Sequence, residues 1–179
     1  RQDPDVVLVG EIRDLETAEI SVQASLTGHL VLSTLHTNTA VGAVTRLVDM
    51  GVEPFLIASS LVGVLAQRLV RRLCPNCKQP HQPDDAELEL LGLKADDRFQ
   101  IFESKGCTEC DQIGYRGRIG IYELIDMDDG MRRLIHDQVS ENELTDHARK
   151  SSRSLMQNGF DRVLDGETTL EEVFRVTQA

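Results

Sequence analysis

Tryptophan is absent from this 179-residue chain, and aromatic residues make up only 4 % of it. A core must therefore be aliphatic, and a hydrophobic content of 40 % is enough to build one. Positive charge is scarce: 19 Lys and Arg stand against 30 Asp and Glu, a formal net charge of −11. That balance disfavours nucleic acid as the main partner, because phosphate binding needs clustered cations. Arg68, Arg71 and Arg72 form the one compact basic cluster. No apolar run approaches the roughly 18 residues of a membrane-spanning helix. The opening Arg1-Gln2-Asp3-Pro4 has neither Met nor a secretory signal pattern. An apolar run starts almost at once, yet few neighbouring strands follow it. The chain is therefore expected to be the C-terminal piece of something longer. Repeats and low-complexity tracts are also missing.

What is present is organised around Val6-Val7-Leu8-Val9, which runs into Gly10-Glu11-Ile12-Arg13-Asp14. A continuous, mostly β-branched apolar run suits a strand buried on both faces of a parallel sheet. Glu11 and Asp14 then stand at the carboxyl end of that strand, where ligands sit in open α/β sheets. An acid there can orient water or reach a phosphate-bound Mg²⁺. The alternative is a buried strand whose terminal acids merely start a helix.

Asp14 reads as the N-cap of a helix that ends at Thr27-Gly28, with Gly28 as C-cap. Leu30-Val31-Leu32 predicts a second buried strand, closing in Ser33-Thr34-Leu35-His36-Thr37-Asn38. Both strand tips should share one edge of the sheet. Asn38 or Thr39 is expected to cap the next helix, whose Val41, Val44, Leu47 and Val48 recur at helical spacing. Phe55 to Val70 reads as a further helix, with Arg68, Arg71 and Arg72 at its C-terminal end. Asp84 to Leu91 predicts a short acidic helix and Phe99 to Phe102 a short strand. The segment Ile119 to Ile125 is β-like, and the remainder is helical. Capping boxes are expected at Ser140-Glu141-Asn142-Glu143 and Thr169-Leu170-Glu171-Glu172.

All four cysteines fall in two C-x-x-C pairs, Cys74/Cys77 and Cys107/Cys110. Two such pairs can complete a tetrahedral, closed, structural Zn²⁺ site. The roughly thirty-residue spacer must then fold as a small lobe that draws stability from the metal. Disulfides and free thiols are the competing readings. His36, among small hydrogen-bonding residues at the ligand edge, could donate to a γ-phosphate or sense its loss; a loop histidine with ordinary partners is the alternative. His29 opens the second strand. Arg13, Arg46, Arg68 and Arg118 could be phosphate contacts or surface pairs, and His136 and His147 read as surface positions.

Together these stretches resemble a known family. Arg1-Gln2-Asp3-Pro4-Asp5 through Asp14, with Glu16-Thr17, looks like the Walker B region of secretion ATPases. Thr27-Gly28-His29-Leu30 through Asn38 resembles their His box. Ala66-Gln67-Arg68-Leu69, the paired C-x-x-C motifs and Gly117-Arg118-Ile119-Gly120-Ile121-Tyr122-Glu123 match as well, so the likeness runs the whole length. The family is that of the type II secretion and type IV pilus assembly ATPases. Thr39 to Ala43 and Thr168 to Val173 look more like the secretion branch, and pilus retraction ATPases generally lack the cysteine lobe.

The resemblance implies an α/β fold in three parts. Residues 1–73 would be the C-terminal portion of a RecA-like P-loop ATPase domain, 74–112 a tetracysteine zinc lobe, and 113–179 a mainly helical subdomain. It implies ATP and Mg²⁺ as ligands, a hexameric ring, and contact with inner-membrane platform proteins at the cytoplasmic face, where ATP turnover drives pseudopilus assembly. Glu11 would be the Walker B acid, acting on Mg²⁺ or the attacking water. His36 would face the γ-phosphate, His29 would open the His box, and Cys74, Cys77, Cys107 and Cys110 would hold zinc. The Walker A loop G-x-x-x-x-G-K-[ST] is missing, so the chain alone is expected to be inactive. A pilus assembly ATPase and a non-enzymatic zinc-stabilised adaptor are the alternatives.

Overall fold

The computed structural model of the protein describes residues 4–94 and 99–178. The Arg1-Gln2-Asp3 start of the Walker B-like stretch lies outside the described residues. By internal contacts the chain forms two compact units: 1–66 with 124–152, and 67–123 with 153–179. The segment 113–179, expected to be one helical part, is thus shared between them.

In the first unit, β1 (Val6–Leu8) and β2 (Leu30–Leu32) pair in parallel, with α1 (Leu15–Leu26) as the crossover. Asp14 caps α1 by accepting the Thr17 N–H at 2.8 Å, and the chain leaves the helix through Gly28 at φ +100°. The two strands were expected to be buried on both faces. Instead Val6, Leu8, Leu30 and Leu32 are exposed. No third described strand joins this sheet, so alternate side chains point to an uncovered face.

Four further helices and one strand build the rest of this unit's core. They are α2 (Gly42–Asp49), α3 (Pro54–Ser60), α5 (Asp129–His136) and α6 (Glu141–Ala148), with the end of a long strand at Ile125. Val44, Leu47, Ile57, Ile125, Met131, Ile135 and Leu144 pack together in it. Ser140 and Glu143 make the expected capping box of α6. His147 has a partner on the neighbouring helix: its Nε2 lies 2.9 Å from Asp128 Oδ1, and Asp128 also caps α5.

The expected helix over Phe55 to Val70 is corrected. It stops at Ser60, and β3 (Gly63–Leu73) follows, paired with β6 (Tyr115–Asp126). Its side chains alternate, with Leu65, Gln67 and Leu69 exposed between more buried neighbours. A Cβ on Gly63 would lie 3.2 Å from the Ile125 carbonyl oxygen, so the backbones approach closely there. Strand pairing decides the conformation of a run whose apolar spacing fits either period.

In the second unit, β4 (Gln79–His81) pairs antiparallel with β5 (Ile101–Glu103), and α4 (Asp85–Leu91) lies between them in sequence. The expected acidic helix and short strand are therefore present in the cysteine spacer. A separate core joins Ile101 to α7 (Leu155–Leu164) and α8 (Leu170–Thr177) through Val163, Leu170 and Val173. Gly159 admits Val173 closely enough that a Cβ would sit 2.5 Å from its Cγ1.

The basic cluster also finds its role in this unit. Arg71 reaches the buried carboxylate of Glu172 on α8 at 2.5 Å, and its guanidinium stacks 4.2 Å over the Tyr115 ring. Arg175 donates to both oxygens of the same carboxylate. Thr169 caps α8 as expected, but Glu172 serves the two arginines instead of completing a capping box. Burial disfavours the Glu172 carboxylate, yet Arg175 and Arg71 outweigh it and hold its pKa at about 2, against an ordinary 4.5. A depressed carboxylate stabilises the fold above its unfolded pKa. That contribution, about 3 kcal/mol, fades as pH falls from 4.5 towards 2. Wild type and Glu172→Gln should therefore differ most in urea midpoint at neutral pH and converge towards pH 2. A gap that stays constant with pH would contradict this account.

Candidate functional site

The register of β1 and β2 decides what meets at their carboxyl ends. Val6 faces Leu30 and Leu8 faces Leu32. The pairing then continues past both strands: the Val9 N–H donates to the Leu32 carbonyl at 2.9 Å and the Ile12 N–H to the Thr34 carbonyl at 3.0 Å. The Thr34 hydroxyl donates to the Gly10 carbonyl at 2.8 Å. Two polar tips laced in this way bring Glu11 level with His36.

Glu11 is mostly buried, and each of its carboxylate oxygens lies near a different side chain. Oε2 accepts Arg13 Nε at 2.5 Å. Oε1 lies 2.6 Å from His36 Nε2. That second approach is an ion-pair distance without hydrogen-bond alignment, so Oε1 retains its acceptor capacity. His36 is 87 % exposed and Arg13 76 %. A shielded carboxylate under two accessible cationic or hydrogen-donating side chains can orient a water, and the exposed pair can meet an anion.

The other candidates separate. His29 stands at the opposite end of β2, where its Nδ1 lies 3.1 Å from both the Ala24 carbonyl and the Thr27 hydroxyl. Those contacts secure the joint between α1 and β2. Arg46 is exposed on α2 and Arg118 on β6, while Arg68 Nη1 donates to the Gln67 carbonyl. None of these three bonds to Glu11 or His36 among the contacts described.

The four cysteines do assemble. Their sulfurs all lie within 4.8 Å of one another, with Cys74–Cys107 at 3.9 Å, Cys77–Cys110 at 3.8 Å and Cys107–Cys110 at 3.7 Å. These separations are far above the ~2.05 Å of a disulfide. Two knuckles present them. In the first, Lys78 N–H closes a turn on the Cys74 carbonyl. In the second, the N–H groups of Cys107 and Gly114 both donate to Cys110 Sγ at 3.2 Å. Gly114 has φ +83° and admits Ser104 so closely that a Cβ would sit 2.7 Å from it. Burial pushes the Cys77 thiol up to about 12 and raises Cys107 as well. At Cys110 burial acts in the same sense, but the two N–H donors prevail and bring it down to about 7. His81 is turned to Glu87 at 2.8 Å.

Sequence reasoning missed Glu141, which it placed only within a cap. Its carboxylate accepts hydrogen bonds from Thr39 and Thr45, whose positions lie about a hundred residues earlier. No local pattern advertises such a contact.

The model of a family described as type II/IV secretion system protein matches residues 1–175. The chain belongs to this family. Among type II/IV secretion system proteins it is 65 % identical to the type II secretion system protein E of Pseudomonas aeruginosa, over 99 % of this chain and 36 % of that protein. It is 59 % identical to the type II secretion system ATPase E of Vibrio cholerae, over 99 % of this chain and 35 % of the relative. The chain thus spans about a third of the length of the curated relatives it matches. Among solved structures it is similar to the pilus retraction motor PilT with bound ADP, at a TM-score of 0.68 and 27 % identity, covering 99 % of this chain and 41 % of that one. The mixed α/β fold expected from the sequence is therefore that of this family. No helix among the described residues is long and apolar enough to cross a membrane.

Proposed function

We propose that this chain is the C-terminal part of an ATPase that powers pseudopilus assembly and protein export by a type II secretion system. The observation that carries the reading is the Glu11–His36 pair, formed where two parallel strands end together. Its relatives support the secretion branch: the identity to secretion proteins E far exceeds that to the pilus retraction motor. The domain containing β1 and β2 is read as RecA-like. The working protein is read as a hexamer on inner-membrane platform proteins at the cytoplasmic face, with peripheral membrane association through those partners.

ATP with Mg²⁺ would supply the phosphoryl group and the charge that polarises it. Glu11 would hold a water, or a water on Mg²⁺, through its retained acceptor. His36, exposed beside Glu11, would donate to the γ-phosphate and sense its loss. His29 belongs to the same box and positions it from the far end of β2. The four cysteines fit a structural zinc ion: Zn–S bonds of about 2.3 Å in a tetrahedron place sulfurs ~3.8 Å apart, close to the separations present. With all four positions taken by thiolates, the site is closed to substrate. We read 1–73, 74–112 and 113–179 as functional parts: motor, zinc lobe and helical subdomain.

The test compares this chain with a version extended upstream through a Walker A loop, each incubated with Mg²⁺ and ATP. Binding and turnover only in the extended form are expected. Turnover by the short chain would overturn the split site, and an inert extended protein would overturn the ATPase reading.

A further inference from the structure

Glu141 opens α6, directly after the Ser140 cap, and its carboxylate is aimed at the segment that follows His36. Oε1 accepts the Thr39 hydroxyl at 3.3 Å and Oε2 accepts the Thr45 hydroxyl at 3.2 Å. Thr39 is itself a hub. Its oxygen accepts the Gly42 N–H at the start of α2 at 2.9 Å, and its carbonyl accepts the Thr37 hydroxyl at 3.0 Å. A Cβ on Gly42 would lie 2.7 Å from that hydroxyl oxygen, so glycine is needed for the approach. One carboxylate thus ties the loop after His36, and the first turn of α2, to a helix almost a hundred residues later. All of these groups belong to the first unit.

The placement matters because His36 itself is held loosely. It is largely exposed and touches Glu11 without hydrogen-bond alignment. Its position is therefore set by the backbone on either side. On one side the β1–β2 lacing fixes Thr34. On the other the Thr37–Thr39–Glu141 chain fixes the exit. Two acceptor oxygens on one rigid helix start define that exit better than either alone, since the Ser140–Glu143 capping box already sets the helix end.

We propose that Glu141 is a positioning residue for His36, holding the loop that presents its imidazole beside Glu11. The inference rests on the ATPase reading of the Glu11–His36 pair. It requires no contact between Glu141 and nucleotide.

The experiment uses the full-length protein in its assembled state, with ATP turnover and melting temperature measured for Glu141→Ala, Glu141→Gln, Thr39→Val and the Glu141→Ala/Thr39→Val pair. Glu141→Ala should lower kcat about tenfold while KM for ATP changes less than about twofold. Glu141→Gln keeps one acceptor oxygen and should recover part of the rate. The double variant should lose less than the two single losses multiplied together, because the Thr39–Glu141 bond is common to both. Full kcat in Glu141→Ala, a rise in KM with kcat intact, or additive losses in the pair would each overturn the role. Glu11→Gln run beside them separates the two levels: if that variant keeps full turnover, the ATPase reading of the pair has failed, and the positioning role falls with it.

Discussion

Removing metal from the four-cysteine cluster is expected to unfold the lobe that carries it. The spacer contains two three-residue strands and a seven-residue helix. Isolated elements of that length are marginal in water. Among the spacer's described apolar side chains, Leu88 and Ile101 are the buried ones. A structural zinc site contributes about 10–16 kcal/mol of apparent binding free energy, comparable with the whole stability of a domain. Cys110→Ser should do the same as chelation, because Cys110 also anchors its knuckle by accepting two backbone N–H groups. Hydrogen exchange should then become fast over β4, α4 and β5, and one zinc per chain should appear in a colorimetric release assay. Undiminished protection after complete metal removal would show that the lobe stands on its own packing.

Glu11→Gln should be the most damaging single substitution for turnover. The amide preserves shape and can still accept from Arg13, but it loses the charge and basicity needed to orient and deprotonate water. On the proposed ATPase reading a loss of about 10²–10⁴-fold in kcat is expected, with ATP affinity nearly unchanged because an acid acting on the water does not hold the phosphates. Single-turnover kinetics on the full-length protein would separate the two. Intact chemistry with weakened binding would assign Glu11 to holding nucleotide rather than to the reacting water.

Much of this site could be read from the chain because its signals are local. An apolar run that stops abruptly in Gly10-Glu11, a cap at Asp14 and a glycine exit at Gly28 each act within a few residues. The paired cysteines needed only their spacing, since a knuckle is a local turn. The run from Phe55 to Val70 was misread because its apolar spacing satisfies both helix and strand; its partner β6 begins at Tyr115 and is invisible to any short window. Glu172 and Glu141 escaped for a related reason. Each sits at a helix start, where an acid already has a local explanation, while Arg71 for Glu172 and Thr39 and Thr45 for Glu141 lie about a hundred residues away.

The division into two units has a consequence for anyone who wishes to take the protein apart. Each unit is assembled from two separated stretches of chain, with a stretch of the other unit between them. A stop codon or a protease cut after Ala66 removes 124–152 from the first unit, including Met131, Ile135 and Leu144 of its core. A product starting at Gln67 carries that same stretch as an orphan. Deletion mapping would therefore report lost function wherever the end was placed, with no information on which residues act. Clean dissection calls for rewiring: joining Glu123 to Arg153 by a short linker, so that the unit carrying the four cysteines becomes continuous.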